Sequence, residues 1–288
     1  MLRARLPEVP IVDLTHEVRA QDVRAGSLAL KRAAPYLAPG VVVAVVDPGV
    51  GTARRSVAVH AGGADLFFVG PDNGLMLPAL DELGGPALAV QLENTAYQLP
   101  SPGPTFAGRD IFAPAAAFLA GGGEIEALGQ QLDPGTLVRL SPLVCHESDG
   151  ALEAEVAWVD HFGNVQLAAG PHALPAGPDA LPVGTGPQAH AVLMVRLRRR
   201  TQAHVDGANS WTARLVHTYG ELAPGELGLL VDSYGYLALS LNGAGAAERL
   251  GVREQDVLVL EPINPAKQAE APTAGAPASS PARFIPGP

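Results

Sequence analysis

The sequence predicts an α/β layered N-terminal domain followed by a C-terminal all-β, barrel-like domain, and three observations predict it. Apolar runs of strand character alternate with helical patterns over residues 1–135. From 136 to 262 the helical patterns give way to short apolar runs separated by Gly and Pro, the texture of an antiparallel β domain. With 288 residues and 47% apolar content, the chain is long enough to bury two cores of ordinary size. The remaining stretch, 263–288, is rich in Pro, Ala and Ser without any period, and is expected to be a disordered tail.

Taken in order, "IVDLTHEV" (11–18) reads as a short strand entering a loop, and "QDVRAGSLALKRAAPYL" (21–37) as a helix closed by "APG". The β-branched run "VVVAVVD" (41–47) has the continuous apolarity of a strand covered on both faces. "SVAVHAG" (56–62) and "ADLFFVG" (64–70) read as strands, "GLMLPALDEL" (74–83) as a helix and "ALAVQLE" (87–93) as a strand. "RDIFAPAAAFLAGG" (109–122) reads as a helix ended by glycines. In the second half, "ALEAEVAWVD", "NVQLAAG", "HAVLMVRLRR", "GELGLLVDS" and "GYLALSLN" are the strand candidates.

The formal net charge of -10 offers no long-range attraction for phosphate backbones or anionic lipid, so nucleic acid and membrane surfaces are poor partners. The basic run "RLRRR" (196–200) follows an apolar stretch and reads as the solvated face of a strand. Cys145, the single cysteine, has no partner for an internal disulfide and is expected to serve packing in a reducing cytoplasm. No apolar run approaches the roughly 20 residues of a membrane helix, and the N-terminus lacks the apolar middle of a secretory signal, so a soluble, cytoplasmic protein is expected. The eight histidines never fall at ligand spacing, which argues against a metal site. Gly-x-Ser-x-Gly, Gly-Lys-Ser/Thr and Gly-x-Gly-x-x-Gly patterns are missing, which weighs against serine-hydrolase, nucleotide-triphosphatase and dinucleotide chemistry.

Chemistry is concentrated in four stretches. "VVDPGVGTARR" (45–55) places Asp47 at the carboxyl end of a strand, where α/β sheets bind ligands, and lets glycines fold Arg54 back toward it. A carboxylate held by a guanidinium stays ionised and oriented, so the pair could position a water; a loop salt bridge without catalytic meaning fits equally well. "GPDNGL" (70–75) puts Asp72 and Asn73 at a strand-to-helix turn, where helix capping is the simplest role. "PTFAGRDIFAP" (104–114) sets Phe106, Gly108, Arg109 and Asp110 before a helix, suited to a planar ligand. "VDHFGNVQ" (159–166) ends a strand with Asp160, His161, Phe162 and Asn164, which fit either a plain hairpin turn or a site for an amine and an aromatic base.

In this order, "IVDLTHEV", "VAVVDPGVGTARR", "GPDNGL", "TFAGRDIFAP", "DHFGN" and "SYGYLALSLNGAGAAERLG" resemble the S-adenosyl-L-methionine hydroxide adenosyltransferases, relatives of the adenosyl fluorinase and chlorinase, over residues 8–260. The resemblance implies an N-terminal α/β domain, a C-terminal β-barrel, a homotrimer with the ligand at the subunit interface, and cleavage of S-adenosylmethionine by water to adenosine and methionine. S-adenosylmethionine would be substrate, with no further cofactor. It also implies a water-activating trio of Asp, Arg and His. Asp47 and Arg54 fall on the first two positions, while Ala107 stands at the third and cannot exchange a proton. By the same resemblance Asp160 would hold the methionine amine, Phe162 and Asn164 would pack on and read the adenine, Ser233 would meet the methionine carboxylate and Phe106 would line the ribose side. Tyr234 follows Ser233 where halogenases often carry Arg. The family's first strand, with its ribose-binding aspartate, has no counterpart ahead of Met1, which a misplaced start or a truncation would explain. A hydrolase slowed by Ala107 is the leading expectation. An adenosyl-ligand binder without turnover and a halogenase are the alternatives.

Overall fold

The computed structural model describes residues 2–174, 194–200 and 205–262. The chain divides into two compact units, Met1–Pro142 and Leu143–Pro288. The tail expected at 263–288 lies outside the described residues.

The first unit opens with a short helix α1 (Leu2–Arg5) and continues with α2 (Val23–Ala33). Asp22 starts α2 by accepting a hydrogen bond from Ala25 N–H at 2.9 Å, and a 3-10 turn containing Pro35 ends it. Strands β1 (Gly40–Val43), β2 (Ser56–Ala61) and β3 (Leu66–Pro71) follow, then α3 (Leu77–Glu82) and β4 (Pro86–Gln91). A π-helical turn (Gly108–Phe112) leads into α4 (Ala113–Ala120), and β5 (Gln131–Leu132) completes a mixed sheet of order β1-β3-β2-β4-β5. Among the described pairings of this sheet only β1–β3 is parallel.

Period-two alternation in β2 and β3 builds two cores, one on each face of this sheet. Val57, Val59, Leu66 and Phe68 join Leu30 of α2 and Leu80 of α3 on one face. Ala58 and Val69 join Phe112 and Leu119 on the other. The result is helices on both sides of a sheet, the α/β layering expected. Two local expectations fail. Residues 11–18 form no strand: the segment is largely exposed, and its polar side chains bond locally, as where Glu17 N–H donates to Thr15 Oγ1 at 3.0 Å. β1 is covered only in part: Val42 packs on one core and Val41 on the other, but both stay half-buried, Val43 is exposed, and the strand is the end strand of the described sheet.

Among its described residues, the second unit is a curled sheet of β6 (Cys145–Ser148), β7 (Ala151–Val159), β8 (Val165–Leu167), β9 (Met194–Arg200), β10 (Val205–Leu215), β11 (Leu227–Val231), β12 (Leu237–Leu241) and β13 (Val257–Pro262), with one short α-helix, α5 (Ala246–Leu250). The curl brings β13 against both β7 and β9. Leu152, Ala154 and Val156 of β7, Leu237 and Leu239 of β12, and Leu258 and Leu260 of β13 recur every second residue and share one core. The "RLRRR" run lies in β9, whose side chains are outside the described residues. Cys145 does not pack: it opens the exposed strand β6. Among the described residues no helix is long and apolar enough to cross a membrane, and no His/Cys/Asp/Glu cluster could hold a metal.

One ion pair in this unit fixes an acid response. Arg214 Nε donates to Glu226 Oε1 at 2.7 Å, and Ala223 N–H donates to Glu226 Oε2 at 2.8 Å. The guanidinium first, and the backbone donor second, hold the Glu226 carboxyl down at about 2. A carboxyl whose folded value lies below its unfolded one stabilises the fold above the ordinary glutamate range and loses that contribution as pH falls toward 2. Urea unfolding of Glu226→Gln against the parent should show a constant stability deficit above about pH 5 that shrinks steadily on acidification below it.

Candidate active site

Asp47 reaches its place because three contacts carry the chain beyond β1. Ala44 N–H continues the ladder to Val69 O at 3.1 Å. Gly70 lets the Ala44 carbonyl press against β3, since a Cβ there would collide with that oxygen. Asn73 Nδ2 then donates to Val46 O at 2.8 Å. The loop that follows is closed by Val50 N–H to Asp47 O at 3.3 Å and by Thr52 Oγ1 to Gly49 O at 2.7 Å.

Arg54 returns to Asp47 as a two-pronged pair, Nε to Oδ1 at 3.0 Å and Nη2 to Oδ2 at 2.6 Å. Its remaining nitrogen, Nη1, donates to Arg55 O at 2.9 Å and to Ser56 Oγ at 2.8 Å, and the guanidinium lies 5.5 Å above the Phe112 ring. The side chains are only 10% and 6% exposed for Arg54 and Asp47. An acceptor fixed in this way presents a defined lone-pair direction to a small donor such as water.

The 104–110 segment approaches the same loop: a Cβ on Gly51 would stand 3.4 Å from Pro104 O. Phe106 is 56% exposed and carries the Arg109 guanidinium 4.8 Å over its ring. Arg109 grips Asp110 through Nε to Oδ1 at 2.6 Å and Nη2 to Oδ2 at 3.0 Å, and this pairing holds the Asp110 carboxyl below the usual carboxylate range. These two residues therefore pair with each other in a π-helical turn rather than standing free in a loop. Ala107 is buried at 8% exposure, with its methyl in the apolar layer of Phe112 and Ala115.

In the second unit, Asp160 and Asn164 meet within one hairpin turn. Asp160 Oδ1 accepts from Phe162 N–H at 2.9 Å and Asn164 N–H at 2.8 Å, and Oδ2 accepts from Asn164 Nδ2 at 2.8 Å. Asn164 Oδ1 in turn accepts from the buried Ser240 hydroxyl at 2.6 Å. Gly163, at φ 82°, has its Cα side packed on Gly245, so no side chain fits there. Phe162 projects outward, 78% exposed. Ser233 sits exposed in a second turn of the same design, where Asp232 Oδ1 accepts from Tyr234 N–H at 2.8 Å and Tyr236 N–H at 3.0 Å. Gln166 Nε2 donates to the other Asp232 oxygen. Both aspartates bear on Tyr219, whose hydroxyl is pushed up by burial first and by Asp160 and Asp232 after it.

The family model for the SAM hydroxide adenosyltransferase N-terminal domain matches residues 1–129, and that for the C-terminal domain matches residues 154–259. The chain belongs to the SAM hydroxide adenosyltransferase family. It is similar to an (R)-S-adenosyl-L-methionine hydrolase from Salinispora tropica, 46% identical over 88% of each chain. A fluorinase from an Actinoplanes species is less similar, 29% identical over 84% of each. The crystal structure of an uncharacterized conserved protein from Thermotoga maritima superposes with a TM-score of 0.74 at 31% identity, covering 90% of this chain and 92% of that one.

Sequence reasoning missed several residues that shape these adenosyltransferase-family loops. Asp72 and Asn73 are not helix caps: α3 begins after Met76 without a side-chain cap, and Asp72 instead pairs with Arg55, Nε to Oδ2 at 2.8 Å. Ser56, Phe112, Asp232 and Ser240 were also passed over. The signal for Asp232 was present, since Asp232-Ser-Tyr-Gly-Tyr repeats the Asp-x-aromatic-Gly-x order of Asp160-His-Phe-Gly-Asn. Ser56, Phe112 and Ser240 give no signal beyond ordinary strand and helix residues. Removing only the cation from the buried pair should be costly, because Asp47 is left charged and unpaired. Arg54→Met is expected to lower unfolding free energy by about 3 kcal/mol, and adding Asp47→Asn to that variant should restore some of the loss, both read by urea titration.

Proposed function

We propose that this chain hydrolyses S-adenosyl-L-methionine to adenosine and L-methionine. The observation that carries the reading is the Asp47–Arg54 pair, buried at the carboxyl end of β1 in a chain of this family. Water attacks the ribose C5′ in line with the sulfonium: the C5′–O bond forms as the C5′–S bond breaks, and sulfur keeps the bonding electrons. Methionine leaves as a neutral thioether, so no general acid is required, and catalysis reduces to aligning water and stabilising charge. Asp47 orients the water and receives its proton, while Arg54 keeps the carboxylate in one rotamer. A halide would approach that carboxylate as an anion in a poorly solvated place, which disfavours the halogenase reading.

Binding roles follow the family motifs. Asp160 is assigned the methionine amine, Phe162 and Asn164 the adenine, Ser233 the methionine carboxylate and Phe106 the ribose side. Asp160 Oδ2 has accepted one hydrogen bond from Asn164 and retains capacity for an ammonium. S-adenosylmethionine is substrate and no other cofactor enters the scheme. A homotrimer in the cytoplasm belongs to the same reading, supported by the family motifs and the single cysteine. The domain layout, an α/β domain joined to a β-barrel, likewise belongs to it.

A second reading is favoured by Ala107, whose buried methyl cannot relay a proton: an adenosyl-ligand binder without turnover. Chromatography of products after incubation with S-adenosylmethionine separates the two. Adenosine and methionine in equal amounts, reduced about 100-fold or more by Asp47→Asn, are expected. Tight calorimetric binding with no product would replace the hydrolase by the binder, and a 5′-halo product at high halide would replace it by the halogenase. Ala107→His, which restores the third residue of the family's trio, should raise kcat by about 100-fold with KM nearly unchanged, as an added proton-transfer group would do.

A further inference from the structure

The loop between Asp47 and Arg54 is held from within by short-range contacts. Its internal bonds are local turn contacts, Val50 N–H to Asp47 O at 3.3 Å, Thr52 N–H to Gly49 O at 3.2 Å, Thr52 Oγ1 to Gly49 O at 2.7 Å and Arg54 N–H to Thr52 Oγ1 at 3.3 Å. Yet the pair it carries requires two-pronged geometry, which tolerates little drift. The two residues flanking the loop are both gripped by consecutive residues of the turn after β3. Asn73 Nδ2 donates to the carbonyl of Val46, immediately before Asp47, at 2.8 Å. Asp72 Oδ2 accepts from Arg55, immediately after Arg54, at 2.8 Å, and Asp72 N–H donates to Arg55 O at 2.9 Å.

That Arg55 carbonyl is also one of the acceptors of Arg54 Nη1. Asp72 thus fixes an atom that the catalytic guanidinium itself leans on. The gripping turn is rigid in its own right. The Asp72 side chain is 4% exposed and its Oδ1 accepts from Val138 N–H at 2.8 Å, while Asn73 Oδ1 accepts from Leu75 N–H at 3.2 Å. Arg55 is further held by Thr136 Oγ1 at 3.1 Å.

We propose that Asp72 and Asn73 are positioning residues that act as one clamp, setting the separation and angle of Asp47 and Arg54 by holding the residue on each outer side of their loop. Any movement of the β3 turn then carries both ends of the loop together, so the pair survives fluctuations that would separate residues anchored independently. The catalytic importance of the clamp rests on the hydrolase reading above. The clamp itself is a statement about the pair's geometry.

The test therefore has two readouts. The side-chain Nε–H resonance of Arg54, assigned by its loss in Arg54→Lys, reports the pair directly through its hydrogen exchange. Asn73→Ala, the nearly isosteric Asn73→Asp and Asp72→Asn should each speed that exchange about tenfold or more, whereas Leu66→Ala, at the far end of β3, should leave it unchanged although it weakens the same core. With S-adenosylmethionine, the clamp variants should lose about 100-fold in kcat with KM within about twofold. Unchanged Arg54 exchange in the isosteric variants overturns the clamp, as does equal acceleration in Leu66→Ala. Absence of adenosine from the parent protein overturns the hydrolase reading, and the Arg54 resonance still decides the clamp.

Discussion

A carboxylate and a guanidinium buried side by side cost more in lost hydration than their attraction returns, unless every remaining donor and acceptor is occupied. Much of the first unit is arranged to meet that condition for Asp47 and Arg54. The carboxylate takes both prongs, the spare guanidinium nitrogen finds Ser56 and the Arg55 carbonyl, and Phe112 offers its ring face to the cation. Because Phe112 belongs to the layer shared with Leu119 of α4, the packing of a helix on one sheet face supports the electrostatics at the end of a strand. Gly70 serves the same end by admitting the Ala44 carbonyl, without which the chain could not deliver Asp47 where it stands.

What was legible beforehand follows a physical divide. Period-two alternation in "SVAVHAG" and "ADLFFVG" specifies which side chains meet which helices, because a one-residue slip would turn the whole apolar set outward. The Asp47–Arg54 pairing was legible too, since the Pro-Gly-Val-Gly between opposite charges lets the chain turn back on itself. Where the sequence misled, local composition was overruled by partners distant in the chain. "IVDLTHEV" has strand character yet pairs with no described strand, and of the β-branched run at 41–47 only the part to Val43 is strand, at the edge of the described sheet. Strands β10 and β13 went unanticipated because their apolar runs are short or broken, and only pairing with β9 and β7 completes them. Asp72 and Asn73 resemble a helix cap in sequence, and only the return of β2 beside β3 supplies Arg55 as the alternative partner.

The second unit solves a different problem, presenting aromatic side chains to solvent on a stiff support. Asp160 and Asp232 each spend one carboxylate oxygen on the backbone of their own turn, and each turn closes on a glycine with positive φ, 82° at Gly163 and 80° at Gly235. Phe162 and Tyr234 occupy the same place in the two turns and both stand exposed. An exposed ring on a rigid turn loses little conformational freedom on stacking against a flat partner, which is the energetic case for assigning Phe162 to adenine. The assignment of Asp160 to the substrate amine carries a condition: the ammonium has to share an oxygen already engaged by Asn164, so amine binding and turn geometry are coupled through one residue.

The alanine at position 107 is less damaging to hydrolysis than its place in the motif suggests. A sulfonium leaves without protonation, so the only proton to be managed is the one water gives up after C5′–O bonding has begun. An oriented carboxylate can accept it, and the two-pronged hold of Arg54 removes the rotational freedom that would otherwise be lost at the transition state. A third group would speed proton removal without changing which nucleophile is used. In the proposed mechanism that choice falls to Asp47, whose charge repels halide and whose lone pairs attract a water hydrogen. With Ala107 buried among Phe112 and Ala115, the proposed mechanism keeps the group assigned to nucleophile choice and lacks only one assigned to rate.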